Sequence, residues 1–185
     1  MAVRGINHKY IVVERKYKTM SKDIKMYNAL ISCPSDVAGY IDSIKRGVDR
    51  FNNTYGEMND ILVRTKYWLE DSFPESGGQA QDLLNDQIVK TSDMAIAVFW
   101  TKFGEPTKHF GSGTEEEIEY MISRGKQVFL YFLDKPIPPS MINSREQKRI
   151  KNFKTKYEKK GIYLVVKDEN ELESRIADGL IRYFA

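Results

Sequence analysis

One cysteine and two histidines are all that this 185-residue chain carries of those side chains. A single Cys33 forbids an intrachain disulfide, and Cys33 with His8 and His109 is too small a set to close a zinc site. Long hydrophobic runs are missing too. No apolar stretch approaches the ~20 residues that cross a bilayer, and the basic N-terminus shows no apolar segment followed by a small-residue cleavage site. A cytoplasmic protein that touches no membrane and holds no metal is the expectation. Phosphate-binding signatures are also lacking. There is no GxxxxGK[ST], a Cys-x5-Arg phosphatase loop would need arginine at Gly39, and the GSGTEE string puts Glu116 where a dinucleotide fingerprint needs its third glycine.

An excess of charge of either sign is missing from the body of the chain. The formal net charge is +3, but residues 1–25 hold seven Lys/Arg against two acids, leaving 22 against 24 for the rest. The remaining basic run, Arg145 to Lys160, has helical spacing and reads as a solvated face, so nucleic acid is not the expected partner. What is present, 41% apolar and 12% aromatic residues, suffices for one well-cored domain. We place it at 25–185, after a basic leader or flexible arm at 1–24 in which residues 11–13 (IVV) read as a short extra strand.

Met26 to Ile31 is a short apolar run broken by the turn formers of Ser32-Cys33-Pro34-Ser35-Asp36. Val37, Tyr40, Ile41, Ile44, Val48 and Phe51 then recur at helical spacing, with Ser35 or Asp36 as N-cap and Asn52, Asn53 and Gly56 as the stop. Ile61 to Trp68 mixes apolar and charged residues, as an edge strand does. Ser76 with Gln79 has capping-box spacing for a helix over about 77–90 that packs through Leu83, Leu84 and Ile88. Asp93 to Trp100 and Gln127 to Leu133 are apolar on both faces, like buried parallel strands, and a helix over about 113–124 lies between them. Prolines 136, 138 and 139 enforce an extended connection, and Ser144 with Gln147 could cap a lysine-rich helix to Lys159. Gly161 to Val166 is a fifth strand, and a last helix over about 169–184 buries Leu172, Ile176, Leu180 and Ile181. Strands alternating with helices, the second strand wettest, give an α/β fold: a flavodoxin-like, doubly wound, five-stranded parallel sheet of order 2-1-3-4-5. Its switch point lies between the first and third strands, so the SCPSD loop and the WTKFG…GSGT loop face one crevice.

Three carboxylates, Glu115, Glu116 and Glu117, open the helix at that crevice. With 100° per residue and a buried stripe of Ile118, Met121 and Ile122, Glu116 and Glu119 point away while Glu115 and Glu117 flank the stripe. Glu115 completes a capping box with Ser112, reaching back to the Ser112 amide. Thr114 and Glu117 have the same spacing, so a capping role and a catalytic role for Glu117 both stand on spacing alone. Around it, Trp100 and Phe103 could stack on a base or ribose, or belong to the core or its rim. Ser32, Ser35 and Asp36 could receive phosphate or ribose hydroxyls, or serve only as caps. Asp71 could bind a ribose diol. Cys33, Gly113 and Thr114 belong to the loops that face the crevice and complete the set of expected substrate contacts.

The string SGTEEEIEYMISRGKQVFLYF, preceded by VFWTKFGEPT and far upstream by ISCPSDV, resembles the TIR-like (DUF4062-type) domains of bacterial defence proteins. These are distant relatives of Toll/interleukin-1 receptor domains and of nucleoside 2-deoxyribosyltransferases. In the transferases the catalytic glutamate opens a Glu-apolar-x-Tyr segment followed by Gly-Lys. Glu117-Ile118-Glu119-Tyr120 and Gly125-Lys126 match that pattern, which selects Glu117; Glu119 stands where the transferases carry glycine, and the Trp-Cys that usually precedes a TIR glutamate is absent. The resemblance implies cleavage of an N-glycosidic bond, with NAD as substrate and no resident cofactor, in an antiphage effector that self-associates or is fused to a larger defence protein. It leaves open a non-catalytic interaction or nucleotide-sensing domain, and a nucleoside or nucleotide hydrolase or deoxyribosyltransferase. A lone carboxylate suits NAD, because nicotinamide leaves as a neutral molecule without a general acid.

Overall fold

The computed structural model describes residues 22–185. The leader and the strand expected at 11–13 lie outside them, apart from the exposed residues 22–24. The apolar runs become β1 (Lys25–Ser32), β2 (Ile61–Lys66), β3 (Met94–Phe99), β4 (Gln127–Leu133) and β5 (Tyr163–Val166). All pairings are parallel, and the order is β2-β1-β3-β4-β5, the doubly wound order that the sequence pattern predicts. Every residue of β3 is buried, as the centre of a sheet covered on both faces requires.

Among the described residues six α-helices connect or follow the strands: α1 (Ile41–Phe51), α2 (Trp68–Asp71), α3 (Ala80–Leu84), α4 (Gly113–Ser123), α5 (Ser144–Tyr157) and α6 (Glu169–Phe184). The two-residue period of the strands divides the core. Ala29, Ile31, Met94, Ile96 and Val98 pack towards α1 and α6, while Leu30, Ala95, Ala97 and Phe99 pack towards α4 and α5. Gly47 lets α1 and α6 touch, because a Cβ there would lie 2.8 Å from the Glu173 carbonyl and 2.9 Å from Ile176 Cβ. The helix after β1 thus covers one face and the helix after β3 the other. The connections leaving these adjacent strands diverge, opening a crevice between them.

Several local expectations give way to tertiary contacts. A 3-10 turn over Ser35–Tyr40 precedes α1, Pro34 is its N-cap, and neither Ser35 nor Asp36 caps it. Asn52 does not end the helix, which runs on through a π turn over Asn52–Gly56. The Asn52 side chain instead pairs with the Val63 amide and carbonyl at 2.9 Å each, closing the backbone of the edge strand. The helix expected from 77 begins at Ala80 and leaves Ser76 outside it, and its second half is a π turn over Asn85–Val89. Asn143, one residue before Ser144, caps α5 by accepting from the Arg145 and Glu146 amides. β2 stops at Lys66, and Trp68 opens α2.

Candidate active site

The site grows from the end of β1. Alternation along the strand puts Ser32 on the same face as Leu30, towards α4, where it is 1% exposed. A buried hydroxyl needs a partner, and Ser32 Oγ donates to Glu117 Oε2. Glu117 stands one turn into α4, brought there by the buried stripe of Ile118 and Met121. Burial pushes its carboxyl up to about 7, the Ser32 hydrogen bond holds it back, and Glu116 adds a smaller upward push. Cys33 follows in the same loop; burial first, then the charges of Glu117 and Asp36, push its thiol up to about 12, so it is protonated and a poor nucleophile.

The neighbouring acids have other tasks. Ser112 caps α4 by accepting from the Glu115 amide at 3.0 Å. Glu115 does not reach back to the Ser112 amide as expected, but one residue further, to the Gly111 amide at 2.8 Å, and its other oxygen takes Lys156 at 2.7 Å. Burial would raise the Glu119 carboxyl, but hydrogen bonds from Lys160 and Lys156 hold it below its usual range. The basic helix is therefore not simply a solvated face; one side of it is ion-paired to α4. Its first turn also shapes the loop after β3. Glu146 accepts from the Phe103 amide at 2.7 Å and the Gly104 amide at 3.4 Å, and Arg149 donates to the Gly111 carbonyl. Gly104 allows the bend, with φ +103°.

A cleft of about 860 Å³ opens where these loops meet. Of the expected contacts, the structure brings Cys33, Ser35, Gly113, Thr114 and Glu117 to its walls, and Ser32 stands behind Glu117. The amides of Gly113 and Thr114, in the first turn of α4, have no acceptor within the helix, and Lys102 Nζ lies 3.4 Å from Ser35 Oγ on another wall. The cleft therefore offers a carboxyl group at one point and anion-favouring donors beside it. A second cavity of about 610 Å³, between the π turn after α3 and the outer side of α4, also reaches Glu117.

Four expected contacts are placed elsewhere. Asp36 Oδ2 accepts from the Thr101 amide, the Thr101 hydroxyl and the Lys102 amide at 2.7, 2.8 and 2.9 Å, which ties the β1 loop to the β3 loop. It neither caps α1 nor lines the cleft. Asp71 accepts from the Tyr67 amide at 2.8 Å and holds α2. Trp100 packs edge-on to Tyr40 and donates to the Lys135 carbonyl at 3.4 Å. Phe103 is 4% exposed, stacked on Phe99 with ring centres 5.4 Å apart, in the core. Packing therefore puts Phe103 in the core and leaves Trp100 half-buried at its rim. The sequence reading missed Trp68, which lines the cleft from the end of β2. The run Ile61 to Trp68 reads as one strand, and nothing in it separates the buried Tyr67 from the exposed Trp68 that follows it.

The family model described as "Domain of unknown function (DUF4062)" matches residues 35–181. No curated protein matches the chain. Among solved structures, the chain is similar to oxidised Flavodoxin 1 from Bacillus cereus, at 11% identity over 86% of this chain and 98% of that one, with a TM-score of 0.42. It is also similar to a short-chain flavodoxin associated with a non-canonical PDU bacterial microcompartment, at 12% identity over 88% of this chain and 100% of that one, with a TM-score of 0.42. No helix among the described residues is long and apolar enough to cross a membrane.

Proposed function

The chain belongs to the DUF4062 family, and from that premise and the geometry of its cleft we propose that it cleaves the N-glycosidic bond of NAD, with Glu117 as the catalytic carboxylate. The observation that carries this reading is the setting of Glu117 at the β1/β3 switch point: half-buried, lining the cleft, oriented by Ser32, and with its carboxyl pushed up to about 7. A carboxyl group so perturbed inside a cleft is a mark of functional chemistry. With that value it is about half ionised at neutral pH and becomes fully ionised above it, and it is desolvated enough for its charge to act strongly on a neighbouring sugar.

In the proposed reaction the bond between the ribose anomeric carbon and the pyridinium nitrogen breaks. The bonding electrons leave with nicotinamide, which departs neutral, and positive charge develops on the sugar. Ionised Glu117 stabilises that charge or captures the carbon covalently. Water then adds at the same carbon, giving ADP-ribose and releasing a proton. Ser32 is a positioning residue, holding one carboxylate oxygen so that the other can face the sugar. The donors of Gly113, Thr114 and Lys102 suit the diphosphate. The resemblance of the β1 loop, the β3 loop and α4 to TIR-like domains of bacterial defence proteins supports assigning this activity to an antiphage effector.

The test is incubation of the purified chain, over a range of protein concentrations, with NAD and with a panel of nucleosides and nucleotides, beside Glu117→Gln. Nicotinamide release that disappears in the variant is the expected result. Base release from nucleosides or nucleotides instead of NAD would reassign the chain to hydrolysis or deoxyribosyl transfer. Tight nucleotide binding without turnover would make it a sensing module.

A further inference from the structure

One aromatic wall of the cleft has no part in the chemistry just described. β1 and β2 pair in parallel with Leu30 level with Lys66, and carrying that register two residues on sets Trp68 level with Ser32. The two backbones there are one strand spacing apart, about 5 Å. Tyr67 is extended, with φ −131° and ψ 130°, and its ring is buried in the core on the α1 side, so alternation sends Trp68 out on the opposite side of the sheet. That is the side of Ser32, whose hydroxyl donates to Glu117. Trp68 and the Glu117 carboxyl therefore stand at adjacent strand ends, in the walls of one cleft.

The indole is open and held in place. Trp68 is 45% exposed, and an aromatic ring left open to water inside a concave site offers a face for stacking. Its four-residue helix is fixed by Asp71, which accepts from the Tyr67 amide at 2.8 Å, and by Lys45, paired with Glu70 at 2.6 Å. Among the described residues, lysine and arginine cations sit over the rings of Tyr40, Phe103, Tyr120, Phe132 and Tyr163, and none sits over Trp68.

A substrate whose scissile sugar faces Glu117 carries its leaving base one bond from the reacting carbon. That base is the part of the substrate that meets an indole at the adjacent strand end, whereas the second base of a dinucleotide is set off by two riboses and a diphosphate. In NAD the leaving base is a pyridinium. Its charge is attracted by the negative face of an indole, the best of the aromatic side chains for a cation, and by an ionised carboxylate beside it. Nicotinamide, once released, is neutral and loses both attractions.

We propose that Trp68 stacks on the leaving base and, with Glu117 at the edge of that base, selects a cationic ring over a neutral one. This rests on the reading of Glu117 as the carboxylate facing the scissile sugar. Trp68 is then a specificity-determining residue, and it acts on ground-state affinity rather than on the chemical step.

The chain has two tryptophans, so Trp100→Phe leaves Trp68 as the one indole and Trp68→Phe leaves Trp100. An indole stacked on a pyridinium loses its fluorescence by electron transfer. The full chain carrying Glu117→Gln, in which the proposed chemistry is blocked, is titrated with NAD and with ADP-ribose in each background. Saturable quenching of Trp68 by NAD is the expected result, with quenching by ADP-ribose, which lacks the pyridinium, at least tenfold less. In the Trp68→Phe background NAD should quench only linearly, by collision. Equal quenching by the two ligands would put the indole on another part of the substrate and overturn the proposal. So would the absence of saturable quenching, or an emission that shifts with protein concentration and not with ligand, which marks a surface for self-association.

Selection for charge is read by calorimetry at pH 8, where the Glu117 carboxyl is ionised. 1-Methylnicotinamide, a cation, should bind the wild type at least tenfold more tightly than nicotinamide, and equal affinities would overturn the selection. In steady-state cleavage, Trp68→Ala should raise the KM for NAD about tenfold with kcat retained, and Trp68→Phe should keep most of the affinity; an unchanged KM in Trp68→Ala would refute the stacking. Because quenching is read without turnover, a chain whose Trp68 is quenched by NAD but which releases no nicotinamide with Glu117 present upholds the stacking while refuting the cleavage reading. Nicotinamide release without quenching does the reverse.

Discussion

Ser32, the last residue of β1, donates its hydroxyl proton to Glu117, one turn into α4, across 85 residues of chain. The bond joins the two elements whose divergence opens the cleft. It also lowers the proton affinity that burial raises in the group on which the proposed chemistry turns.

That affinity is open to direct measurement. With the Glu117 carboxyl pushed up to about 7, kcat/KM for NAD should climb as pH rises towards 7 and level off above it, because the carboxylate is the active form. Ser32→Ala removes the hydrogen bond that favours the ionised form, so the limb should move to higher pH by about one pH unit, and activity at pH 7 should fall several-fold to tenfold. A pH–rate profile for nicotinamide release that is identical in the two proteins would refute the assignment of Ser32 as the positioning residue.

Glu117→Gln should abolish turnover and stabilise the fold. A carboxyl whose folded-state pKa lies above its ordinary value of 4.5 supports folding fully below that ordinary value, and the support is lost as pH rises through about 7. Above that the ionised group opposes folding by roughly 3 kcal/mol. The neutral amide relieves this, and a gain of about 1–3 kcal/mol corresponds to a Tm higher by several degrees at pH 8.5. Near pH 5 the difference should shrink. Thermal melts at the two pH values decide the matter, and a variant less stable than the parent at pH 8.5 contradicts the electrostatic account.

Asp36 pins the β3 loop to the β1 loop through three hydrogen bonds to one carboxylate oxygen, while its Oδ1 is buried without a partner. Asp36→Ala should cost about 2–4 kcal/mol, since it strands the Thr101 and Lys102 amides. Hydrogen exchange should then accelerate at those two amides well before the central strand β3 is affected. Unaltered protection at Thr101 and Lys102 would show that the clasp does not hold the loop.

Cys33 gives a chemical check on the cleft. With its thiol pushed up to about 12, alkylation by iodoacetamide at pH 8 should run at least 100-fold slower than that of a free cysteine. Glu117→Gln removes one of the charges that raise the thiol, so the rate should increase in that variant. A wild-type rate close to that of free cysteine would mean that the cleft is wetter than its geometry implies.

Gly47→Ala offers a control remote from the cleft. The added Cβ would press on Glu173 and Ile176 at under 3 Å and force α1 from α6, costing about 1–3 kcal/mol. Tm should fall while the KM for NAD holds, because neither helix lines the site. A change in KM equal to that of a cleft variant would indicate that the α1–α6 face couples to the site.

Sequence by itself determined the sheet. Five apolar runs separated by amphipathic helices, with β2 the most charged, sufficed for the order 2-1-3-4-5, because burial on one or two faces writes itself into residue periodicity. The helical repeat, which is local, also left Glu115 and Glu117 as the acids flanking the buried stripe of α4; it was the family resemblance, and not the repeat, that singled out Glu117. Tertiary structure alone decided what depends on residues far apart in the chain. Asp36, legible as a ribose or phosphate contact or as a cap, is a clasp on Thr101 and Lys102; of the two strand-end aromatics Phe103 is buried in the core and Trp100 is half-buried against it; Trp68, legible as strand, opens a short helix and lines the cleft. In each case the backbone position was readable and the partner was not, because a side chain's partner is fixed by which strand lies next to which, and that adjacency exists only once the sheet has closed.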